Sequence, residues 1–182
     1  MGVGFMKVLV IDKNRISKYN LPEKIEDSFV ISYKTLSGKE CVITLEAVNN
    51  NWVLKSNGSV NVCNGTNGIN QINLIDYSGY LLKVLGVDNF IILYAMPTSE
   101  KETYKLDVTG IPKISIGSSD QCNICYHNNS VHQVHAEITL QNNEWYVNCC
   151  GDKKYQTFLN NSLVEKAEKL KLGDVIFING FK

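Results

Sequence analysis

Ile138-Thr139-Leu140-Gln141-Asn142-Asn143-Glu144-Trp145 echoes an earlier block, Ile43-Thr44-Leu45 followed by Asn49-Asn50-Asn51-Trp52. Each block reads as a strand, an Asn-rich turn and a second strand that opens with Trp. Apolar and β-branched residues suit a half-buried pleated surface, and Asn tolerates the left-handed backbone of a tight turn. A second matched pair comes later in the same order. Leu82 to Leu93 (LKVLGVDNFIIL) parallels Lys169 to Ile178 (KLKLGDVIFI), and each places Gly and Asp in a turn before an apolar strand. Two blocks repeated in order, at an offset of roughly 90 residues, describe two small domains in tandem. Apolar density drops and a proline interrupts at Met96-Pro97-Thr98-Ser99-Glu100-Lys101, so the expected units are 6–96 and 97–182.

Outward from these blocks the strand signals continue. Lys7 to Ile11, Phe29 to Ile31, Cys41 to Leu45, Trp52 to Leu54, Phe90 to Tyr94, Ile114 to Ile116, Ala136 to Leu140, Trp145 to Val147 and Val175 to Ile178 are short, apolar and rich in β-branched or aromatic residues. Asn, Gly, Asp and Ser clusters separate them. The expected fold is all-β, two sandwiches in tandem. Ser162 to Leu172 (SLVEKAEKLKL) has helix-forming composition, with Glu165 and Lys169 four apart. The surrounding repeat favours a hairpin there, ending at Gly173-Asp174.

Composition excludes several classes. The chain has 182 residues, with Lys plus Arg 18 and Asp plus Glu 18. Zero net charge argues against a nucleic-acid partner, which needs a basic surface, and against an electrostatic membrane anchor. The longest apolar run, Phe90 to Met96, is far short of the roughly 20 residues of a spanning helix, so direct membrane insertion is not expected. Met1 to Met6 is too short for a signal peptide and lacks a basic start, so the cysteines Cys41, Cys63, Cys122, Cys125, Cys149 and Cys150 are read as reduced thiols. Cys122-Asn-Ile-Cys125 has zinc-ligand spacing, with His127 close by, but no second pair completes a tetrahedral set. No metal and no cofactor are expected.

Four further blocks fall in order in the second half. They are Ile114-Ser-Ile-Gly117-Ser118-Ser119-Asp120-Gln-Cys-Asn-Ile124, Ser130-Val131-His132-Gln-Val-His135-Ala136-Glu137-Ile138, Thr157-Phe-Leu-Asn160-Asn161 and Leu170-Lys-Leu-Gly173-Asp174-Val-Ile176. From about Tyr104 onward the chain resembles a forkhead-associated (FHA) domain. That resemblance implies a β-sandwich whose loops at one end read phosphothreonine. In the family an Arg follows the Gly of the first block and contacts the phosphate, whereas Ser118 follows Gly117 here. A phosphate-binding Ser stands three residues before the family's His, and His132 occupies that place here, with His135 kept. The resemblance makes Gly117, His135, Gly173 and Asp174 structural. It places Ser118, Ser119, Ser130, His132, Lys153, Lys154, Asn160 and Asn161 on the partner-binding loops, with Asn160 toward the ligand backbone. A phosphate dianion wants a bidentate, permanently charged donor. Ser118 offers a neutral hydroxyl and His132 an imidazole, neither of them a permanently charged, bidentate donor, so ordinary phosphothreonine reading is not expected.

The first half lacks these motifs. Ser37-Gly38-Lys39-Glu40-Cys41 holds neither the Ser nor the His. A degenerate FHA-like unit carrying Tyr19-Asn-Leu-Pro-Glu23, followed by an FHA unit, is similar to the N-terminus of EssC-type, FtsK-like ATPases of type VII secretion. The resemblance implies a longer membrane-bound parent with nucleotide-binding domains beyond Ile176 to Lys182. It also implies a place at the inner face of the cell membrane, and protein partners within the secretion machine, a pseudokinase-like membrane subunit among them. The alternative is a free-standing adaptor that binds phosphothreonine peptides. No enzyme is expected. Gly65-Thr66-Asn67-Gly68 lacks the Lys of a phosphate loop, and the Cys and His residues form no complete catalytic set. Trp52 and Trp145 are read as core residues.

Overall fold

The computed structural model describes residues 5–64, 67–99, 107, 109–127, 131–152 and 155–178. Every regular element among them is a strand, and no helix among them is long and apolar enough to cross a membrane. Two compact units divide the chain, one from Met1–Glu100 with Phe181–Lys182 and one from Lys101–Gly180.

The first unit has two sheets. One contains β1 (Met6–Asp12), β2 (Arg15–Asn20), β6 (Val60–Asn64), β7 (Asn67–Ile69), β9 (Ser78–Val84) and β10 (Asn89–Pro97), in the order β2-β1-β10-β9-β6-β7. The other contains β3 (Ser28–Lys34), β4 (Glu40–Val48), β5 (Asn51–Lys55) and β8 (Gln71–Asn73), in that order. Strand β4 alternates, turning Cys41, Ile43 and Leu45 inward, as one-sided burial demands. Strand β1 is buried along nearly its whole length, which explains the apolar run Val8 to Ile11 between the buried Lys7 and Asp12. Val8, Val10, Leu82 and Leu93 of the first sheet share one core with Ile31, Ile43, Leu45, Trp52 and Leu54 of the second, so the unit is a sandwich. Tyr80, fully buried, donates its hydroxyl to the Asn73 carbonyl at 3.0 Å and accepts from the Ile75 amide at 2.8 Å.

A polar knot fastens the two sheets of this unit at one end. Asp12 is fully buried, and its Oδ2 accepts from the Leu36 amide at 2.6 Å and from Arg15 at 3.3 Å. Arg15 also donates to the Tyr33 hydroxyl at 2.9 Å, to the Lys34 carbonyl, and lies 4.9 Å over the Tyr33 ring. Burial, more than any other influence, pushes the Tyr33 phenol above its ordinary range.

The second unit places β11 (Lys113–Gly117), β12 (Ile124–Cys125), β13 (Ala136–Gln141), β14 (Glu144–Cys149) and β17 (Glu168–Lys169) in one sheet, ordered β12-β11-β13-β14-β17. A smaller sheet orders β16 (Ser162–Leu163), β15 (Thr157–Leu159) and β18 (Ile176–Ile178). Ile114, Ile116, Ala136, Val147, Phe158 and Phe177 are buried.

The repeated Asn blocks are tight hairpins. Asn49 and Asn50 have φ of 49° and 59° between the paired residues Val48 and Asn51. Asn142 and Asn143 have 49° and 66° between Gln141 and Glu144. Consecutive positive φ values define the mirror-image turn whose twist suits adjacent strands. The Gly blocks agree in the turn and differ in how their flanking strands pair. Gly86 and Gly173 have φ of 82° and 88°, but β9 and β10 pair with each other, whereas β17 and β18 join different sheets.

The segment Ser162 to Leu172 forms neither the helix its composition suggests nor the hairpin read from the repeat. Asn160 and Asn161, at φ 49° and 68°, return β16 onto β15. The Leu170 amide then donates to the Trp145 carbonyl at 2.8 Å, carrying β17 to the edge of the larger sheet. Pairing with two different sheets outweighs local propensity here.

Candidate interaction site

At the end of β11 the chain runs so close to the segment before β13 that position 117 has no room for a side chain. A Cβ on Gly117 would stand 2.1 Å from the Gln133 carbonyl oxygen. The backbones are laced together here: the Ser118 amide donates to His132 O at 2.9 Å, the Ser119 amide to Gln133 O at 3.1 Å and the His135 amide to Ile116 O at 2.7 Å. The Cys122 thiol, buried, donates to the same Gln133 carbonyl at 3.2 Å.

His135 is fully buried at the centre of this junction. Its Nδ1 accepts from the His132 amide at 3.2 Å and its Nε2 contacts the Gln156 carbonyl at 3.0 Å. The first contact requires a bare Nδ1 and the second a protonated Nε2, so the neutral tautomer is set by its neighbours. Burial is the main cause that pushes the His135 imidazole below its ordinary range, against the Gln156 contact, with His132 lowering it further. The His135 carbonyl accepts from the Cys150 and Gly151 amides at 2.8 and 3.3 Å. One side chain and its peptide therefore brace three loop segments.

His132 is half-buried and its Nδ1 donates to the Val134 carbonyl at 2.9 Å. Its ring lies 5.2 Å from that of Tyr155, which also meets His135 edge-on at 6.0 Å. Ser118 and Ser119 are half-buried beside it, and Ser119 Oγ accepts from the Gln121 amide at 3.3 Å. The sequence reading missed Tyr155, Gln156 and Gly151, although a Cβ on Gly151 would stand 2.5 Å from the Tyr155 carbonyl.

Asn160 and Asp174 form a second cluster. Asn160 Nδ2 donates to Asp174 Oδ1 at 2.7 Å, and Asn160 Oδ1 accepts from the Val175 amide at 2.9 Å. Asp174 Oδ2 accepts from the Lys171 amide at 2.7 Å across the Gly173 turn. Asn160, read from sequence as a ligand-facing residue, thus has both ends of its amide engaged within the fold, because its left-handed turn directs it at the strand-β18 entry. Asn161 is its turn partner. Ser130, Lys153 and Lys154 lie outside the described residues.

From Ile114 to Asp152 the sequence has no Lys or Arg, while Asp120, Glu137, Glu144 and Asp152 are acidic. Basic residues flank this stretch of sequence, at Lys113, Lys153 and Lys154. Among the described residues, Asp120 of the β11–β12 loop, Cys125 of β12 and His127 just beyond it bring possible metal-ligand atoms within 4.8 Å of one another. Cys122 is turned inward and does not join them.

Residues 114–178 match the family model described as FHA domain, and the all-β second unit is FHA-like in fold. A solved structure described as the N-terminal FHA domain from EssC, a component of the bacterial Type VII secretion apparatus, is similar to this chain at 16% identity and a TM-score of 0.48. The alignment covers 96% of this chain and 83% of that one. No curated protein matches the sequence significantly.

Proposed function

We propose that this chain is a non-catalytic module that docks protein components of a type VII secretion machine, and that it does so without ordinary phosphothreonine reading. One observation carries the second half of this reading. The stretch that holds the FHA family's phosphate contacts has no Lys or Arg between Ile114 and Asp152, with Ser118 and His132 at the contact positions. Phosphate recognition depends on charge-assisted, preferably bidentate bonds, and nothing in that stretch supplies one. The backbone amides of Ser118 and Ser119 are already engaged by His132 and Gln133. The His135 nitrogens and the Cys122 thiol are engaged in bracing the loops, which favours a structural over a catalytic role for these two residues.

The secretion-machine assignment rests on the tandem order of a degenerate unit and an FHA unit in the sequence. In this reading the parent is an EssC-type ATPase that holds the module at the inner membrane face, where a pseudokinase-like membrane subunit is its partner. A photo-crosslinking residue at position 118, and separately at 132, tests it in cells that make the protein. Adducts with a membrane component of the secretion machine, unchanged by phosphatase treatment, are expected. Adducts only with phosphoproteins, lost on phosphatase treatment, would overturn the reading.

A further inference from the structure

We propose that Asp120, Cys125 and His127 form a three-ligand site for a divalent transition metal of the zinc class, with a fourth position open to water or a partner's side chain. Such a site is independent of the docking role.

The geometry begins with the backbone. Gly117 pairs in parallel with Cys125 across β11 and β12, and the Tyr126 amide donates to the Gly117 carbonyl at 2.8 Å. Cys125 is thereby held at the sheet edge. His127 comes two residues later, just beyond the end of β12, with its ring beside the Cys125 thiol. Asp120 is presented by the turn after β11, a turn closed by the Cys122 amide donating to Ser119 O at 3.0 Å.

The side chains then converge. His127 Nε2 lies 3.5 Å from Asp120 Oδ1, and Cys125 Sγ lies 3.8 Å from either ring nitrogen of His127. Zinc bonds of about 2.3 Å to sulfur and about 2.0–2.2 Å to nitrogen and oxygen, set at tetrahedral angles, need ligand–ligand edges of about 3.3–3.6 Å. Two of the three edges are within a few tenths of an ångström of that requirement. Thiolate, imidazole and carboxylate make a borderline-soft donor set, which favours zinc over calcium or magnesium. The Asp120 and His127 side chains are 90% and 74% exposed, so an ion has an open path in.

The Cys122–Cys125 spacing that suggested zinc from sequence is a different set. The Cys122 thiol points to Gln133 O, and the outward donors come from Asp120 and His127 instead. A bound ion would tie the Asp120 turn to the β12 edge, beside Ser118 and Ser119.

The test uses the full chain, reduced, with Co(II) or Zn(II) as the sole metal. One Co(II) per chain should bind with a sulfur-to-cobalt charge-transfer band, and Zn(II) should displace it. Cys125→Ser and His127→Ala should each abolish the band, and Cys122→Ser should keep it. His127→Ala alters an exposed residue, so it stays informative if the cysteine variants misfold. Absence of stoichiometric binding would overturn the proposal, as would a band that survives both Cys125→Ser and His127→Ala.

Discussion

The His132 amide donates to Nδ1 of His135 at 3.2 Å, so a proton added to the buried ring would face another N–H. Protonation of His135 must therefore break this contact as well as charge a buried group. Its folded-state pKa is lowered, chiefly by burial, so below about pH 6.5 the unfolded chain takes up the proton more readily. Stability should be unaffected by this group above that pH and should fall as pH drops toward the lowered folded value, by at most about 1.4 kcal/mol per pH unit. Urea unfolding at pH 7.5, 6.5 and 5.5 measures the slope. His135→Asn should be less stable throughout and should lose most of the slope over that interval.

Gly117→Ala should cost about 3 kcal/mol, because overpacking against main chain has no flexible side chain to displace. The Gln133 oxygen, 2.1 Å from the new Cβ, also anchors the Ser119 amide and the Cys122 thiol. Gly173→Ala is the control. Nothing stands within 4 Å of its Cβ, so only the φ of 88° opposes it, at about 1–2 kcal/mol. Chemical denaturation of the two variants should rank them in that order.

The strands legible in the sequence were β1, β3, β4, β5, β10, β11, β13, β14 and β18, each with a compact apolar run; β6 and β9 were not read, although Val60, Val62, Tyr80, Leu82 and Val84 are fully buried. Strand β2 (RISKYN) escaped because it is a half-exposed edge rich in polar residues, and β12, β16 and β17 are too short to show a period. The Asn turns were legible because few residue types tolerate two successive positive φ values. Ser162 to Leu172 misled because its second half pairs with the distant strand β14, from Trp145 to Val147, which local propensity does not register. At the site, Gly117 and His135 could be placed by motif. Gln156 could not, since it contributes a main-chain oxygen that any residue would supply. Which of Cys122 and Cys125 faces outward was equally hidden, because the loop between them has no fixed period.

The Asn142-Asn143 turn should tolerate glycine and reject branched residues. Asn143→Gly should leave stability within about 0.5 kcal/mol, since Gly is the preferred second residue of this turn. Asn142→Val should cost about 1–2 kcal/mol through the left-handed backbone at φ 49°. The midpoint of thermal unfolding reports both.

Asp12→Ala should destabilise the first unit by about 2–4 kcal/mol. It leaves the Leu36 amide without its acceptor and the partly buried Arg15 without its anion. Asp12→Asn keeps an acceptor for Leu36 and should lose less. Urea titration followed by circular dichroism distinguishes the two.

The most direct test of the proposed function is calorimetric titration of the chain with a phosphothreonine peptide library, each peptide matched to its unphosphorylated form. With Ser118 and His132 at the phosphate positions and no Lys or Arg from Ile114 to Asp152, the prediction is no heat that depends on the phosphate. Low-micromolar binding of any peptide, lost when that peptide is dephosphorylated, would contradict it.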